Sequence, residues 1–283
     1  MAISASQWFG SLGASLKSLV KMGLQSRRVT LGRLHPASGD SIVILGNGPS
    51  LRQTVDEDSP SLASMPLLAV NFAANTPEFT RLRPRYYVLM DPAFFREGAD
   101  PNVGRLWENM ASLTSWTMTL FVPVRDLGKV PGGVRRAVEV RTFNPVGVEG
   151  FRWLRHWAYR RRMAMPRPRN VLIPSLMIAI ALGYRNIYVV GADHSWTQTL
   201  DVNERNEVVS IQPHYYAEDK KTLDHYAAVY RGVRLHEIMY SFHVAFRAYF
   251  DIEAYARSRG VGIINSTPHS FIDAFRRAPL PNP

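Results

Sequence analysis

Short apolar segments, with stretches of helical periodicity between them, constrain the fold of this chain more than any other feature. Because short apolar strands that alternate with helices form parallel sheets buried on both faces, the pattern predicts a mostly parallel sheet with helices on either side. The predicted strands are Ser41–Leu45, Pro66–Asn71, Tyr86–Met90, Thr117–Val122, Ile187–Val190 and Gly262–Asn265. The predicted helices between them are Val103–Ser112, Gly150–Arg162, Ser175–Gly183 and Arg234–Ser258.

The composition fits one large α/β domain of the Rossmann-like kind. The 283 residues are 46% hydrophobic, which is enough to bury a sizeable core. Lys and Arg number 34 against 23 Asp and Glu, so the formal charge of +11 favours an anionic partner: nucleic acid, an anionic membrane surface or a phosphate-bearing substrate. The absence of cysteine excludes disulfides, thiolate metal sites and cysteine nucleophiles, and it fits a reducing cytoplasm.

The first 38 residues predict a basic amphipathic helix. Its apolar stripe contains Trp8, Leu12, Leu16, Leu19 and Gly23, with Phe9 and Val20 beside it, and its cations are Lys17, Lys21, Arg27 and Arg28. Such a helix lies on an anionic membrane surface or docks on its own domain or a second subunit, and both interpretations stay open. No apolar segment is long enough to cross a bilayer, and the N-terminus is a poor secretory signal. We therefore expect a cytoplasmic protein, peripheral on the inner face of the membrane.

Small and polar residues follow the predicted strands. Ligands of open α/β sheets bind beyond the carboxyl ends of the strands, so these residues are the candidates for a binding site. They are Gly46, Asn47, Gly48, Pro49, Ser50, Asn71, Asp91, Gly191, Asp193, His194 and Ser195, and further along the chain Asn265, Ser266 and Thr267.

The segment SIVILGNGPSL resembles a dinucleotide-binding loop only in its first turn. Leu51 stands at the third glycine of that fingerprint, and the next strand ends in Asn71 where an acidic residue would hold ribose. No Gly-Lys-Ser/Thr follows, which excludes a Walker loop. We expect a helix that begins near Pro49 or Ser50 and accepts an anion, with Asn47 facing the ligand. A purely structural turn at Asn47 is the alternative.

Four blocks carry a family resemblance: GNGPSL, the VN that ends the second strand, DPAFF from Asp91, and IAIALGYRNIYVVGAD up to Asp193. Together they resemble the bacterial sialyltransferases of glycosyltransferase family 42 and the related MptE-like proteins, which include a 6-hydroxymethylpterin pyrophosphokinase. The likeness runs from about Ser41 to Phe275. It implies a sialyltransferase variant of the GT-A-like fold, with a nucleotide-sugar donor, most simply a CMP-activated acidic sugar, and a cell-surface glycan or glycolipid acceptor.

The resemblance also implies roles for individual residues. Asn47 and Asn71 would contact the CMP-sugar, Arg169 and Ser175 lie in the region that serves the donor ahead of the ALGY helix, and Gly191 to Ser195 match the next donor segment. Where the family has tyrosines that stabilise the leaving phosphate, this chain has His194, Ser195 and Trp196. The resemblance implies no cofactor or metal. The pyrophosphokinase alternative would use ATP and Mg²⁺ held by Asp91 or Asp193.

Two histidines are the candidates for the general base that deprotonates the acceptor hydroxyl. His214, in PHYYAED, resembles the family's base segment and lies in a polar stretch, about 197–233, that we predict to be a lid. His236 stands near the start of a helix that also carries Tyr240 and His243. A zinc helix is excluded, because H-E-x-x-H would need histidine at Tyr240.

Seven arginines with interleaved aromatic residues, between Arg152 and Arg169, form a second basic region. It could bind nucleic acid, the donor phosphate or an anionic membrane, and we favour the last two. The expected organisation is therefore a membrane-associating segment (1–38), a catalytic domain (39–278) and a tail (279–283). A non-catalytic membrane or nucleic-acid binding module is the remaining alternative, and a homo-oligomer stays open.

Overall fold

A parallel β-sheet is the centre of the fold. The computed structural model describes residues 4–31, 39–96, 98, 100–210, 230 and 232–282. Within them, eight strands form one sheet in which every neighbouring pair is parallel, and two more form an antiparallel hairpin. The sheet strands are β1 Ser41–Leu45, β2 Leu67–Val70, β3 Tyr86–Val88, β4 Thr119–Pro123, β5 Glu139–Phe143, β6 Asn186–Val190, β9 Gly262–Asn265 and β10 Arg276–Arg277; the hairpin strands are β7 Leu200–Val202 and β8 Val208–Ser210.

The order of the strands creates a switch point next to β1. The sheet runs β10-β9-β6-β1-β2-β3-β4-β5, so the chain winds outward from β1 to β5 and then returns to lay β6 on the other side of β1. At such a reversal the loops that follow the two central strands diverge and leave a crevice, which is where open α/β sheets bind ligands.

Helices cover both faces of the sheet. The α-helices are α1 Ala5–Gln25, α2 Ser50–Glu57, α3 Ser59–Ala63, α4 Glu78–Leu82, α5 Pro101–Leu113, α6 Gly132–Ala137, α7 Arg152–Arg160, α8 Leu172–Leu182 and α9 Leu235–Ser258. Successive residues of β1 point to opposite faces: Ile42 and Ile44 pack in the cluster that contains α7, α8 and α9, whereas Val43 and Leu45 pack with α2 and α3. Burial on both sides explains the uninterrupted apolar composition of the strand.

The structure confirms the predicted α/β fold with its mostly parallel sheet. Several boundaries differ from the prediction: α8 begins at Leu172 and not at Ser175, and β3 ends at Val88, two residues before Met90. Strand β5 was not predicted, because EVRTF alternates polar and apolar residues as an edge strand does. The start of the predicted lid contains the β7–β8 hairpin, and residues 211–229 and 231 of the lid lie outside the described residues.

Helix α1 packs on the domain through a polar face. The hydroxyl of Ser18 donates to the carbonyl of Glu149 (3.0 Å) and accepts from its N–H (2.9 Å), and the Ser15 hydroxyl accepts from the N–H of Phe151 (2.9 Å). Lys21 donates to the carbonyl of Gly147 (3.0 Å). One face of α1 therefore docks on its own domain, which is one of the two interpretations that the sequence left open. No helix among the described residues is long and apolar enough to cross a membrane.

Candidate functional site

A cavity of about 310 Å³ opens beyond the carboxyl ends of β1, β2, β3 and β6. This volume lies near the lower end of the range for small-molecule sites, roughly 300–1,000 Å³. The loops after the four strands line it together with the segment that leads into α8, and hence the cavity lies at the switch point of the sheet.

Two glycines allow the loops after β1 and β6 to cross. The N–H of Gly46 donates to the carbonyl of Val190 (2.8 Å), and the N–H of Gly48 donates to that of Gly191 (2.7 Å). A Cβ atom at Gly46 would lie 2.3 Å from the Gly191 carbonyl oxygen, closer than real contacts allow. Gly191 itself has φ +64°, a left-handed conformation that favours glycine. The glycines of GNGPSL and VVGAD therefore fit each other, which explains both motifs structurally.

Asp193 caps the helix that follows β1. Its carboxylate accepts the Ser50 hydroxyl at 2.8 Å and the Ser50 N–H at 3.3 Å, and Ser50 is the first residue of α2. Burial raises the pKa of Asp193, and the hydrogen bonds from Ser50 oppose the rise. Since a carboxylate already occupies this helix start, the expectation that it accepts an anionic ligand is corrected. Ser50 does not line the cavity, and its role is to hold Asp193.

Asn47 and Asn71, in the segments that follow β1 and β2, both line the cavity. The side-chain amide of Asn47 reaches the carbonyl of Val70 at 3.5 Å, the limit of a hydrogen bond. Asn71 adopts a left-handed conformation, φ +50°, and its carbonyl accepts the Tyr87 hydroxyl at 2.6 Å. That hydroxyl also accepts a hydrogen bond from the N–H of Ala74 (2.9 Å), so Tyr87 fixes the backbone of the turn after β2 at two points. Both amide side chains are thus presented to the cavity by a fixed backbone.

His194, Tyr249 and Asn170 form a hydrogen-bonded chain in the cavity wall. Nε2 of His194 lies 2.6 Å from the Tyr249 hydroxyl, and the Asn170 amide nitrogen donates to the same hydroxyl at 2.9 Å. Burial lowers the pKa of His194 to about 3 and raises that of Tyr249. The imidazole is therefore neutral at physiological pH. The Tyr249 hydroxyl also lies 3.1 Å from Asn170 Oδ1 and can donate to it, so the tautomer of His194 decides whether Nε2 donates to that hydroxyl or accepts from it.

Aromatic rings flank this chain. The ring of Trp196 lies 4.2 Å from that of His194 and 5.2 Å from that of Phe242, and Trp196 lines the cavity. The ring planes of Trp196 and His194 are tilted by 33°. An aromatic face beside polar groups suits a ligand that has both a flat ring and hydrogen-bonding groups.

Residues after β9 hold the loop that carries His194. The N–H of Ala192 donates to the Thr267 hydroxyl (3.1 Å), and the Ser270 hydroxyl donates to the Ala192 carbonyl (2.7 Å). Thr267 and Ser270 are buried and do not line the cavity, so the polar residues predicted at the end of β9 act as supports for the site.

Arg169 is the one cation among the described residues that line the cavity. It lies next to Asn170, just before α8, whereas the acidic residues of the lining are Asp91 and Asp193. Asp91 accepts the N–H of Ala93 (2.8 Å) and begins the short helix 92–95. Among the described residues, no three His, Cys, Asp or Glu side chains come together as a metal site would require.

Eleven of the thirteen residues predicted to hold the donor line this one cavity. They are Gly46, Asn47, Gly48, Pro49, Asn71, Asp91, Arg169, Gly191, Asp193, His194 and Ser195. The exceptions are Ser50, described above, and Ser175, which is fully buried in α8 and donates to the carbonyl of Val171 (2.8 Å).

Of the two histidines predicted as base, the structure describes His236, which does not line the cavity. His236 is exposed on the first turn of α9, and His214 lies outside the described residues. Sequence reasoning missed Asn170 and Tyr249. A signal for Asn170 was available, since Asn commonly caps a helix and its side chain accepts the N–H of Leu172 (3.1 Å).

A second cavity, of about 650 Å³, lies between α1, α9 and the segment 148–151. Four of the five charged residues that line it form ion pairs, Arg155 with Asp251 and Arg247 with Glu149, and the fifth is Arg167. The first cavity is the better candidate for a functional site, because it lies at the switch point of the sheet and its lining combines amides, a cation and an aromatic residue.

Comparison with known proteins supports the fold and no closer relationship. No protein-family model matches the chain, and no curated protein matches it. Among solved structures, the MAf glycosyltransferase from Magnetospirillum magneticum AMB-1 is similar, with a TM-score of 0.50 and 11% sequence identity. The match covers 98% of this chain and 39% of that protein, so the chain spans about two fifths of its length. The chain therefore shares the fold of part of that protein.

Proposed function

We propose that this protein is a glycosyltransferase that transfers a sugar from a nucleotide donor, most simply a CMP-activated acidic sugar, to a glycan or glycolipid acceptor. The observation that carries the proposal is the cavity at the switch point, in which amides, an arginine and an aromatic ring surround one space. The fold likeness to a glycosyltransferase agrees with this function.

In the proposed donor site, different lining residues have different roles. Arg169 would bind the phosphate of the donor and, as that phosphate departs, stabilise its growing charge. Asn47 and Asn71 would hydrogen-bond the nucleoside and sugar, since amides both donate and accept. His194, kept neutral by burial, would hydrogen-bond the donor through its imidazole, with Tyr249 holding the ring in place. Trp196 would supply a flat apolar face for the base or sugar.

In the proposed reaction the bond between the sugar and the phosphate oxygen breaks as the acceptor hydroxyl attacks. The hydroxyl proton goes to a general base, and CMP leaves with the electron pair of the broken bond. We propose His214 or His236 as that base; His236 would have to approach the cavity from the start of α9, which is exposed. The transfer would need no metal.

Calorimetric titration with CMP in the presence of a chelator tests the donor assignment. We expect CMP to bind without metal, and an Arg169→Gln variant to bind it more weakly. The control is Arg136→Gln, which removes an exposed cation from α6, outside the cavity. Binding of ATP that requires Mg²⁺, with no binding of CMP, would instead support the pyrophosphokinase alternative. A protein that binds neither nucleotide would be a non-catalytic module.

Separate His214→Ala and His236→Ala variants test the base. We expect both proteins to keep donor binding and one of them to lose transfer, with His243→Ala on the same helix as the control. Full transfer activity in both variants would rule out this assignment of the base.

A further inference from the structure

The face of α1 that points away from the domain is apolar. Phe9 is 67% exposed and Leu24 69% exposed, and Leu16, Leu19 and Val20 are also exposed along the helix. The buried residues of this helix are Ser15, Ser18 and Met22. The orientation of α1 is therefore the reverse of that of an ordinary surface helix, which buries its apolar face and leaves its polar face in water.

Specific hydrogen bonds fix this orientation. The bonds of Ser15 and Ser18 to the segment 149–151 are joined by one from the Ser26 hydroxyl to the carbonyl of Met163 (2.6 Å). If α1 rotated to bury its apolar face, these bonds would be lost and buried backbone groups would be left unpaired. The outward direction of the apolar face is therefore built into the packing.

Aromatic rings extend the apolar face from α1 to α7. The ring of Phe9 lies 5.3 Å from that of Trp8, Trp8 lies 5.9 Å from Phe151, and Phe151 stacks on Trp153 at 6.4 Å. Trp153, in the first turn of α7, is 68% exposed. Trp and Phe side chains on a shared surface are typical of groups that enter the boundary between lipid headgroups and acyl chains.

The two segments that form this face have charge of one sign. Residues 4–31 and 150–172 contain no Asp or Glu. The exposed cations in these two segments are Lys17, Arg27, Arg28, Arg152, Arg160, Arg161 and Arg169. A surface that combines apolar side chains with cations is complementary to anionic lipids, which offer both an apolar interior and negative headgroups.

We propose that the outward face of α1, together with Trp153, docks the protein onto an anionic lipid surface, with α1 lying parallel to it. A second copy of the chain fits less well, because a two-fold contact through this face would bring the cations of both copies together. A docked helix also agrees with the finding that no described helix could cross a membrane. The proposal does not depend on sugar transfer.

Flotation with vesicles tests the docking surface in the full chain without donor or acceptor. We expect binding to phosphatidylcholine vesicles that contain phosphatidylglycerol, weaker binding to phosphatidylcholine alone, and loss of binding at high salt. The variant Phe9→Ser/Val20→Ser should lower the partition coefficient by about tenfold or more, because it removes two side chains that would be buried in lipid. Trp153→Ser should weaken binding independently.

The matched control is Leu113→Ser/Leu127→Ser, which removes two exposed apolar residues outside α1 and α7. It should bind vesicles as the unsubstituted protein does. Thermal unfolding of each variant confirms that the domain is folded, since the substituted side chains are exposed. Failure to bind anionic vesicles would overturn the proposal. So would a dimer that Phe9→Ser/Val20→Ser dissociates without any change in vesicle binding.

Discussion

The carboxylate of Asp193 accepts hydrogen bonds from both the hydroxyl and the N–H of Ser50, at 2.8 and 3.3 Å. This pair joins the loop after β6 to the helix after β1, across the switch point of the sheet. The Asp193 side chain thus provides, from within the protein, the negative charge that is stabilising at the N-terminus of a helix. A donor phosphate in this cavity would therefore be held by Arg169 and not by the start of α2, which distinguishes the site from a dinucleotide-binding loop.

Replacing Asp193 with Asn should change how stability depends on pH. Because burial raises the pKa of Asp193, the ionised side chain costs more in the folded than in the unfolded protein. Its contribution to the free energy of unfolding is then fully present below the unfolded pKa, about 4, and is lost as the pH rises through the folded pKa. Asp193→Asn should lose less stability than the unsubstituted protein between acid and neutral pH.

Urea unfolding at a series of pH values measures how the free energy of unfolding changes with pH. Asp56→Asn, an exposed position on α2, is the control because it changes the net charge equally. Identical slopes for Asp193→Asn and the unsubstituted protein would contradict the assignment.

The sheet was predictable because its strands are buried on both sides. Ile42 to Leu45 form an apolar run that only a doubly covered strand explains, and the residues after such strands meet at one edge for geometric reasons. This is why eleven donor candidates line one cavity although they are spread over residues 46–195. Strand β5 escaped prediction because Glu139 and Arg141 interrupt its apolar pattern.

Contacts between distant residues were not predictable. Ser50 and Asp193 are 143 positions apart, and His194 and Tyr249 are 55 apart. Periodicity shows that Tyr249 lies on the buried face of a helix, but not which polar group its hydroxyl meets. For α1 the sequence correctly predicted an amphipathic helix, but the side that contacts the domain depends on backbone groups near Glu149 that no periodicity reveals.

Gly46→Ala should destabilise the protein by about 1–3 kcal/mol, a typical cost of overpacking. The added methyl group would lie 2.3 Å from the Gly191 carbonyl oxygen, so the two loops would have to separate. Gly104→Ala is the matched control: it lies within α5 with no atom within 4 Å of the added Cβ, and it should stabilise the helix by about 0.5–1 kcal/mol. Equal unfolding midpoints in urea for the two variants would show that the crossing of the loops tolerates a side chain.

Asn47→Ala and Asn71→Ala should each weaken CMP binding by about tenfold, the effect of losing one hydrogen bond of about 1.4 kcal/mol. Both residues line the cavity, and the hydrogen bond from the Asn47 amide to the carbonyl of Val70 is long, at 3.5 Å, so its loss should cost little stability. Asn186→Ala is the control, since Asn186 is exposed at the opposite end of β6. Unchanged dissociation constants by calorimetry for both cavity variants would remove the amides from the donor site.

The neutral state of His194 predicts a loss of stability in acid. Burial lowers its folded pKa to about 3, so the unfolded protein takes up a proton at higher pH than the folded one. The stability that this group contributes is fully present above about pH 6.5 and is lost as the pH falls towards the folded value. Gln cannot titrate, so His194→Gln should make the free energy of unfolding depend less on pH in this range. The control is His243→Gln, at an exposed position on α9, which should keep a stronger dependence on pH than His194→Gln does.

Tyr249→Phe should distinguish two roles of Tyr249, the positioning of His194 by its hydroxyl and the packing of its ring in the core. The substitution keeps the buried ring but removes the hydroxyl that lies 2.6 Å from His194 Nε2 and 2.9 Å from the Asn170 amide. We expect a loss of about 1–3 kcal/mol in the free energy of unfolding, because two buried polar groups lose a partner. Transfer should fall more than donor affinity, since an unanchored imidazole holds the departing group less well than it holds the bound donor. Tyr240→Phe, exposed on the same helix, should change neither quantity. If Tyr249→Phe lowered stability but left the rate of transfer per folded molecule intact, the His194–Tyr249 pair would serve the fold alone.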